Sequence, residues 1–228
     1  MKIGAILPQS LIDYPGKVSA VFFTIGCNFK CPYCYNTKLA LGKIKQLTKE
    51  KIEHFLEERK NFINAVVLSG GEPLLQKDIV NFAKKIKKHN LLFGIETNGS
   101  QPKILEKLLK EKLLDFVAMD IKSDFDSYKN ATGVNVNKEN ILKSINLLKK
   151  SKIQYEFRIT AVPKLIKKTE LKKISKLVRG SKVVLQQFVN DKDMIDNKLK
   201  KLKPYSSKKL EEFKEALSEC SKVEIRIS

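Results

Sequence analysis

The chain has 228 residues, of which 42% are hydrophobic and 31% charged, with a formal net charge of +20. That length supports one substantial core but not two comfortable ones, so residues 1–228 are read as a single domain, and no apolar run is long enough to span a bilayer. Only Arg59, Arg158, Arg179 and Arg226 are arginines, and the lysines recur in pairs such as Lys84-Lys85, Lys87-Lys88 and Lys149-Lys150. This is the pattern of solvated helix faces, not the concentrated basic surface of a nucleic-acid binder, so no nucleic-acid partner is expected.

The opening run Met1-Lys-Ile-Gly-Ala-Ile-Leu-Pro8 is superficially signal-like, but it is short and Pro8 and Asp13 interrupt it. A cytoplasmic protein is expected, in a compartment that keeps thiols reduced. From Val18 a strand-then-helix rhythm sets in. Strand-like runs fall at Val18–Thr24, Ala65–Ser69, Leu91–Glu96, Phe116–Ile121, Tyr155–Thr160 and Val183–Phe188. Helical patterns fall near Lys49–Asn61, Asp78–His89, Lys103–Lys112, Lys138–Lys150 and Thr169–Val178. A last helix near Ser206–Glu219 precedes Val223–Ile227, a candidate seventh strand, and Asp191–Tyr205 is the most loop-like stretch. Thr48 and Asp78 stand where helix N-caps are expected.

Six such units predict an α/β fold with a mostly parallel sheet, because a helical crossover returns the chain in the same direction. The pattern alone leaves open a doubly wound sheet or a full or partial barrel. No G-x-G-x-x-G follows the first strand and no G-K-[ST] occurs, so a dinucleotide or P-loop site is unsupported. In parallel folds, ligand chemistry gathers where strands end and loops enter helices. Those ends carry Ser69-Gly-Gly-Glu-Pro73, Glu96-Thr-Asn-Gly99, Met119-Asp-Ile-Lys-Ser123, Glu156 with Arg158, and Gln186-Gln-Phe188. Singly, each has a plain reading: turns at the glycines, a surface ion pair at Asp120 and Lys122, a sheet-edge cap at Arg158, core packing at Met119. Together they point to one site.

After the first of these strands comes Gly26-Cys-Asn-Phe-Lys-Cys-Pro-Tyr-Cys-Tyr35, which puts Cys27, Cys31 and Cys34 in one loop with C-x3-C-x2-C spacing. A structural zinc site wants four ligands, yet His54, His89 and Cys220 all lie far off in the sequence. A disulfide would leave one cysteine of the three over. A cubane iron–sulfur cluster takes four cysteines, so three thiolates from one loop leave one iron open for a substrate.

These residues resemble the radical S-adenosylmethionine (SAM) superfamily, whose hallmark is this spacing with an aromatic residue, here Tyr33, before the last cysteine. Leu11-Ile-Asp-Tyr-Pro-Gly-Lys17, Gly70-Gly-Glu-Pro73, Thr97-Asn-Gly99 and Asp120-Ile-Lys122 resemble the glycyl-radical activating enzymes. Within these, they are similar to the activating proteins of anaerobic ribonucleoside-triphosphate reductase, in the longer form akin to the pyruvate formate-lyase activating enzyme. The resemblance implies a partial (βα)6 barrel, a [4Fe-4S] cluster on Cys27, Cys31 and Cys34, and SAM chelating the open iron. It also implies reductive cleavage to a 5′-deoxyadenosyl radical that takes hydrogen from a glycine of a partner glycyl-radical enzyme. The electron is expected from a flavodoxin or ferredoxin.

The implied cofactor contacts are Gly70, Gly71 and Glu72 at the methionine ammonium and Lys122 at its carboxylate. Thr97, Asn98 and Asp120 are expected near the ribose, and Tyr33 and Tyr35 near the adenine. Ser123, Arg158 and Gln187 complete the expected set. Glu96, Thr97 and Asp120 alternatively frame a monovalent cation. One departure is that Gln187 and Phe188 stand where the pyruvate formate-lyase activator has a histidine. A small-molecule enzyme such as a 7-carboxy-7-deazaguanine synthase is the alternative within the superfamily. Outside it, the alternative is a non-catalytic metal or iron–sulfur interaction module.

Overall fold

The structure, a computed structural model, describes residues 1–190 and 194–227. Its strands are β1 (Ile3–Ser10), β2 (Ser19–Thr24), β3 (Ala65–Gly70), β4 (Leu92–Thr97), β5 (Phe116–Asp120), β6 (Gln154–Ala161), β7 (Lys182–Gln187) and β8 (Lys222–Arg226). They form one sheet whose spatial order is the sequence order. β2 to β8 pair in parallel, and β1 lies antiparallel to β2. The helices are α1 (Thr37–Ala40), α2 (Lys49–Arg59), α3 (Ile79–Lys88), α4 (Pro102–Lys110), α5 (Tyr128–Thr132), α6 (Lys138–Lys150), α7 (Lys168–Leu177) and α8 (Ser207–Glu215).

An order that never reverses, joined by right-handed crossovers, lays the helices on one face of the sheet. That excludes the doubly wound arrangement, in which the order reverses and both faces are covered. The other face curls inward, and because β1 and β8 do not pair, the barrel stays open. β2 to β7 are the six strands expected from the sequence, and β8 is the seventh.

β1 was not among the expected strands. Its residues are half-exposed at the sheet edge, and Pro8, which cannot donate to a ladder, interrupts its pattern. Thr48 caps α2 by accepting the Lys51 N–H, whereas the Asp78 carboxylate turns from α3 to pair with the Met1 ammonium. The loop-like stretch before α8 contains a short 3-10 helix at Asn197–Lys201; positions 191–193 of that stretch lie outside the described residues.

Alternation along each strand divides the residues between two cores. Toward the helices, Phe22 meets Phe55 of α2 and Phe82 of α3 at ring distances of 5.5 and 5.8 Å. Inside the barrel, Val21, Val67 and Phe116 form a separate small cluster with Ala65, Ala118 and Tyr14. Tyr14 comes from the β1–β2 connection and plugs the barrel, its ring 5.2 Å from that of Phe116. Gly94 makes room for it: a Cβ there would stand 3.4 Å from Tyr14 and 3.3 Å from Phe116.

Tyr14 and its apolar neighbours form a floor beneath the polar upper half of the barrel. Tyr14→Ala leaves a void that the β-barrel backbone cannot collapse to fill, and is expected to cost about 3–5 kcal/mol. Urea denaturation measures this; a loss under about 1 kcal/mol would show that the ring is not part of the core.

Candidate active site

Above that floor, the strand ends enclose a cavity of about 330 Å³. The cysteine loop forms one wall. Its backbone is held on several sides: Gly26 and Cys27 donate to Leu39 and Ala40 (2.8 and 3.1 Å), Lys30 donates to Thr132 (2.8 Å), and Ile195 and Asp196 donate to Cys34 and Pro32 (3.2 and 2.9 Å). Cys27, Cys31 and Cys34 all line the cavity, and all are free thiols. Burial pushes Cys27 up to about 11 and Cys31 up to about 12, and raises Cys34 as well; Lys122 opposes burial at all three.

The glycine pair reveals a close approach different from the one implied by the resemblance. A Cβ on Gly71 would stand 2.1 Å from the Gly26 carbonyl oxygen, and one on Gly70 would stand 2.8 Å from the Thr24 nitrogen. The chain's own backbone, running from β2 into the cysteine loop, fills that space. Gly71 N–H donates to Thr24 and Glu72 N–H to Gly26, both at 2.8 Å. Gly70 also takes a positive φ of 98°, which a side chain disfavours.

Glu72 is buried at 1% exposure and accepts three donors: the Thr97 hydroxyl and the Asn98 N–H at 2.7 Å, and the Leu74 N–H at 3.0 Å. Burial nevertheless pushes its carboxyl up to about 7. A cation brought beside it would draw it back to the carboxylate. Asn98 in turn donates to Asn28 at 3.0 Å and lies 3.9 Å from the Cys27 sulfur.

On the far wall, Lys122 pairs with Asp120 at 2.8 Å and sits 6.0 Å from the centre of the Tyr33 ring. Its side chain is only 15% exposed, so this is no surface pair. Burial acts against its charge, but Asp120, Tyr33 and Cys31 hold its pKa well above the ordinary lysine value. Arg158 sits on β6, an interior strand, so it does not cap a sheet edge. It is buried between Glu96 and Glu156, donating to Glu156 at 2.8 Å, while Ser69 donates to Glu96 at 2.6 Å. Burial opposes the guanidinium charge, and the two glutamates overcome it.

Thus Tyr33, Tyr35, Gly70, Gly71, Glu72, Thr97, Asn98, Asp120, Lys122, Arg158 and Gln187 all border the cavity with the three cysteines. Ser123 does not: its side chain is fully buried, with its hydroxyl 3.4 Å from Asp124. Gln187 directs its amide to the Tyr205 carbonyl at 2.9 Å. The residues expected to frame a monovalent cation are each engaged elsewhere, Glu96 with Arg158, Thr97 with Glu72 and Asp120 with Lys122. Met119 is fully buried core, packed under Gly99. Asp13 and Arg226 also line the cavity and were not among the expected residues. Asp13 lay in the Leu11–Lys17 stretch, but nothing in the sequence marked Arg226.

The radical SAM superfamily profile matches residues 21–173, which run from within β2 through the cysteine loop to the end of β6 and into α7. The chain belongs to the radical SAM superfamily. A protein of Methanocaldococcus jannaschii, provisionally named a glycyl-radical enzyme activating enzyme, is 40% identical over 88% of this chain and 85% of its own length. A Pyrococcus horikoshii protein named as a probable GTP 3′,8-cyclase is 32% identical over 62% of this chain and 45% of its own length. In structure, SuiB of Streptococcus suis, solved bound to S-adenosylmethionine, superposes with a TM-score of 0.67 at 15% identity, covering 91% of this chain and 49% of SuiB.

Membership in the radical SAM superfamily implies a [4Fe-4S] cluster and SAM, and the donor set fits such a cluster. Among the described residues no three His, Cys, Asp or Glu converge on one metal-ion position, whereas three thiols around one cavity, Cys31 buried and Cys27 and Cys34 half-buried, suit a multi-iron group. At neutral pH these thiols hold their protons. An iron centre must displace them, so its binding releases protons and strengthens as pH rises.

Two outcomes are expected of this radical SAM protein before any cluster is added. At pH 8, iodoacetamide should alkylate Cys27 about 100-fold more slowly than an ordinary cysteine, because raising the pKa from 9.0 to about 11 depletes the thiolate by that factor. Lys122→Met should slow it further, since Lys122 lowers that pKa; mass spectrometry of the Cys27 peptide reads both. Separately, Gly71→Ala forces apart two backbones that no rotamer change can separate, and should cost about 1–3 kcal/mol and reduce iron uptake on reconstitution. Unchanged melting and iron content would contradict the contact with Gly26.

Proposed function

We propose that the chain is a glycyl-radical activating enzyme whose partner is an anaerobic ribonucleoside-triphosphate reductase. The observation that carries the activating role is the 40% identity, over nearly the whole of both chains, to a relative provisionally named for it. The choice of reductase rests on the Leu11–Lys17 resemblance. The likeness to the GTP 3′,8-cyclase covers less than half of that protein, so it supports the superfamily and not the substrate.

On this reading Cys27, Cys31 and Cys34 would hold the cluster, and SAM would bind at its remaining iron. When bound, the cluster and SAM together supply a reductive cleavage that yields methionine and a 5′-deoxyadenosyl radical. The protein's residues do the rest. Glu72, already fixed by Thr97 and Asn98, faces the ammonium, and Lys122 faces the carboxylate. Asp120 sets the Lys122 head group, and Asp120 and Asn98 would meet the ribose. Tyr33 and Tyr35 flank the adenine. Arg158 keeps the inner wall charged and ordered, and the Tyr14 plug keeps water out from below. No general acid or base is required. The electron donor is a flavodoxin or ferredoxin, and the setting is the cytoplasm; among the described residues, no helix is long and apolar enough to cross a membrane. The chain works as one domain built on one sheet.

The test is anaerobic reconstitution and reduction, followed by SAM with a candidate reductase. A glycyl-radical signal in electron paramagnetic resonance is expected, and Cys31→Ala should abolish it. Release of 5′-deoxyadenosine with no protein radical on any candidate would remove the activating role and leave superfamily membership intact.

A further inference from the structure

The net charge of +20 is not spread evenly along the chain. Residues 14–49, 127–138 and 197–210 together hold fourteen lysines and no acidic residue, so they supply +14 of it. The structure brings parts of these three segments together around the cysteine loop. Helix α1 accepts the Gly26 and Cys27 N–H groups through Leu39 and Ala40, and Thr132 of α5 accepts that of Lys30. A Cβ on Gly133, just after α5, would stand 2.3 Å from the Lys30 carbonyl oxygen. Ile195 and Asp196 donate to Cys34 and Pro32, and Asp196 caps the 3-10 helix that follows by accepting the Lys198 N–H.

Lys30 of the loop, Lys38 of α1, Lys129 of α5, and Lys198 and Lys201 of the 3-10 helix are all exposed. Among the described residues none of the five meets a carboxylate at ion-pair distance. On α3 and α4, by contrast, Lys84, Lys85 and Lys110 pair with Glu111, Glu53 and Glu106. Nor does any of the five border the cavity. They form a basic collar on the outside of the loop that carries the thiols. Unneutralised charge of one sign does not help the fold; it attracts and steers a partner of the opposite sign.

A group held by Cys27, Cys31 and Cys34 can receive an electron by two routes, through the cavity or through the loop behind the thiols. SAM and an inserted polypeptide would fill the first, so the second is the one that stays open. We propose that the lysine collar is the docking surface of an acidic ferredoxin that delivers its electron through the cysteine loop. One electron passes from the ferredoxin to the cluster, and no bond forms or breaks. Reducing a thiolate-held cluster needs a carrier from the low end of the iron–sulfur potential range, where ferredoxins lie. The inference rests on the proposed reading that a protein donor reduces the cluster, and it is independent of the reductase.

The experiment uses the reconstituted protein without SAM or reductase, and a strongly acidic [2Fe-2S] ferredoxin as the probe. Calorimetry with the oxidised ferredoxin gives Kd and its salt dependence. Freeze-quench electron paramagnetic resonance gives the rate at which the reduced ferredoxin reduces the cluster. Lys129→Glu, Lys198→Glu and Lys201→Glu combined should weaken binding about tenfold at low salt and slow that reduction to match. Lys88→Glu, Lys149→Glu and Lys172→Glu combined reverse equal charge on exposed lysines of α3, α6 and α7. That variant should change neither quantity more than about twofold, because screening confines the attraction to nearby charges. Photoreduction by deazaflavin, which needs no docking, should be the same in all three proteins.

Equal losses in both triple variants would assign the effect to net charge and overturn the inference. So would an unchanged collar variant, tighter binding of a flavodoxin by the same lysines, or a loss confined to binding of the reductase or of nucleic acid. Wild-type protein that deazaflavin reduces but no ferredoxin binds would overturn the docking surface and leave superfamily membership intact. A cluster that deazaflavin also fails to reduce would remove the reading beneath it and the inference with it.

Discussion

The Glu72 N–H donates to the Gly26 carbonyl at 2.8 Å, one residue before Cys27, and this bond is possible because Gly71 presents no side chain between the two backbones. The rest of the site hangs on that contact. It fixes where the cysteine loop leaves β2, and it fixes the Glu72 backbone beneath it. The Glu72 carboxylate then collects Thr97 and Asn98 from the end of β4, and Asn98 returns through Asn28 to the cysteine loop. The result is a closed circuit of hydrogen bonds through the ends of three strands. Because every link is short, and all but the one to the exposed Asn28 lie deep in the site, a displacement in it moves the thiols. Precise placement of this kind is what positioned redox chemistry demands.

The opposite wall is organised by charge. Arg158 on β6 joins Glu96 of β4 to Glu156 of its own strand, and Lys182 on β7 joins Glu156 to Glu224 of β8 at 3.1 and 2.9 Å. Burying such groups costs desolvation energy that their attraction roughly offsets, so this network is weak evidence for stability. Its effect is positional: it links the inner faces of β4, β6, β7 and β8 in a barrel whose outer edges never pair. Lys122 has a different place, among three thiols and Asp120, where its positive charge favours whatever negative charge the thiols acquire.

Reading by periodicity found the six central strands because most are short apolar runs, while β6 alternates apolar residues with Glu156 and Arg158. The same reading missed β1, whose Pro8 and exposed residues carry no such run. The cysteine spacing was decisive at the level of chemistry, since few groups need three thiolates from eight residues. The glycine pair was legible as special but not in its purpose, because the atoms that crowd it come from a loop more than forty residues earlier. Arg226 was illegible for a related reason. It enters the cavity through the pairing of β7 with β8, which sets Gln186 opposite Arg226, and register between separate strands is not written locally in either. Ser123 shows the converse: it stood in the set the resemblance implied, yet its buried side chain makes no contact with the cavity.

The site therefore has two kinds of surface. Its depth is made of glycine contacts, buried hydrogen bonds and paired charges, each intolerant of change, and these are the features that tie the chain to a superfamily. Its rim includes Ile12 and Val189, exposed at 62 and 38%, which meet no such constraint from within. Apolar side chains exposed around a cavity mouth are free to match whatever docks there. Among the described residues, Lys122 is the one lysine that borders the cavity, although lysines dominate the surface elsewhere. On the proposed reading, a polypeptide approaching this mouth meets apolar contacts first and the charged interior only once inserted. That ordering explains why the deep residues reveal the reaction while the partner has to be sought from the rim and the Leu11–Lys17 stretch that supplies part of it.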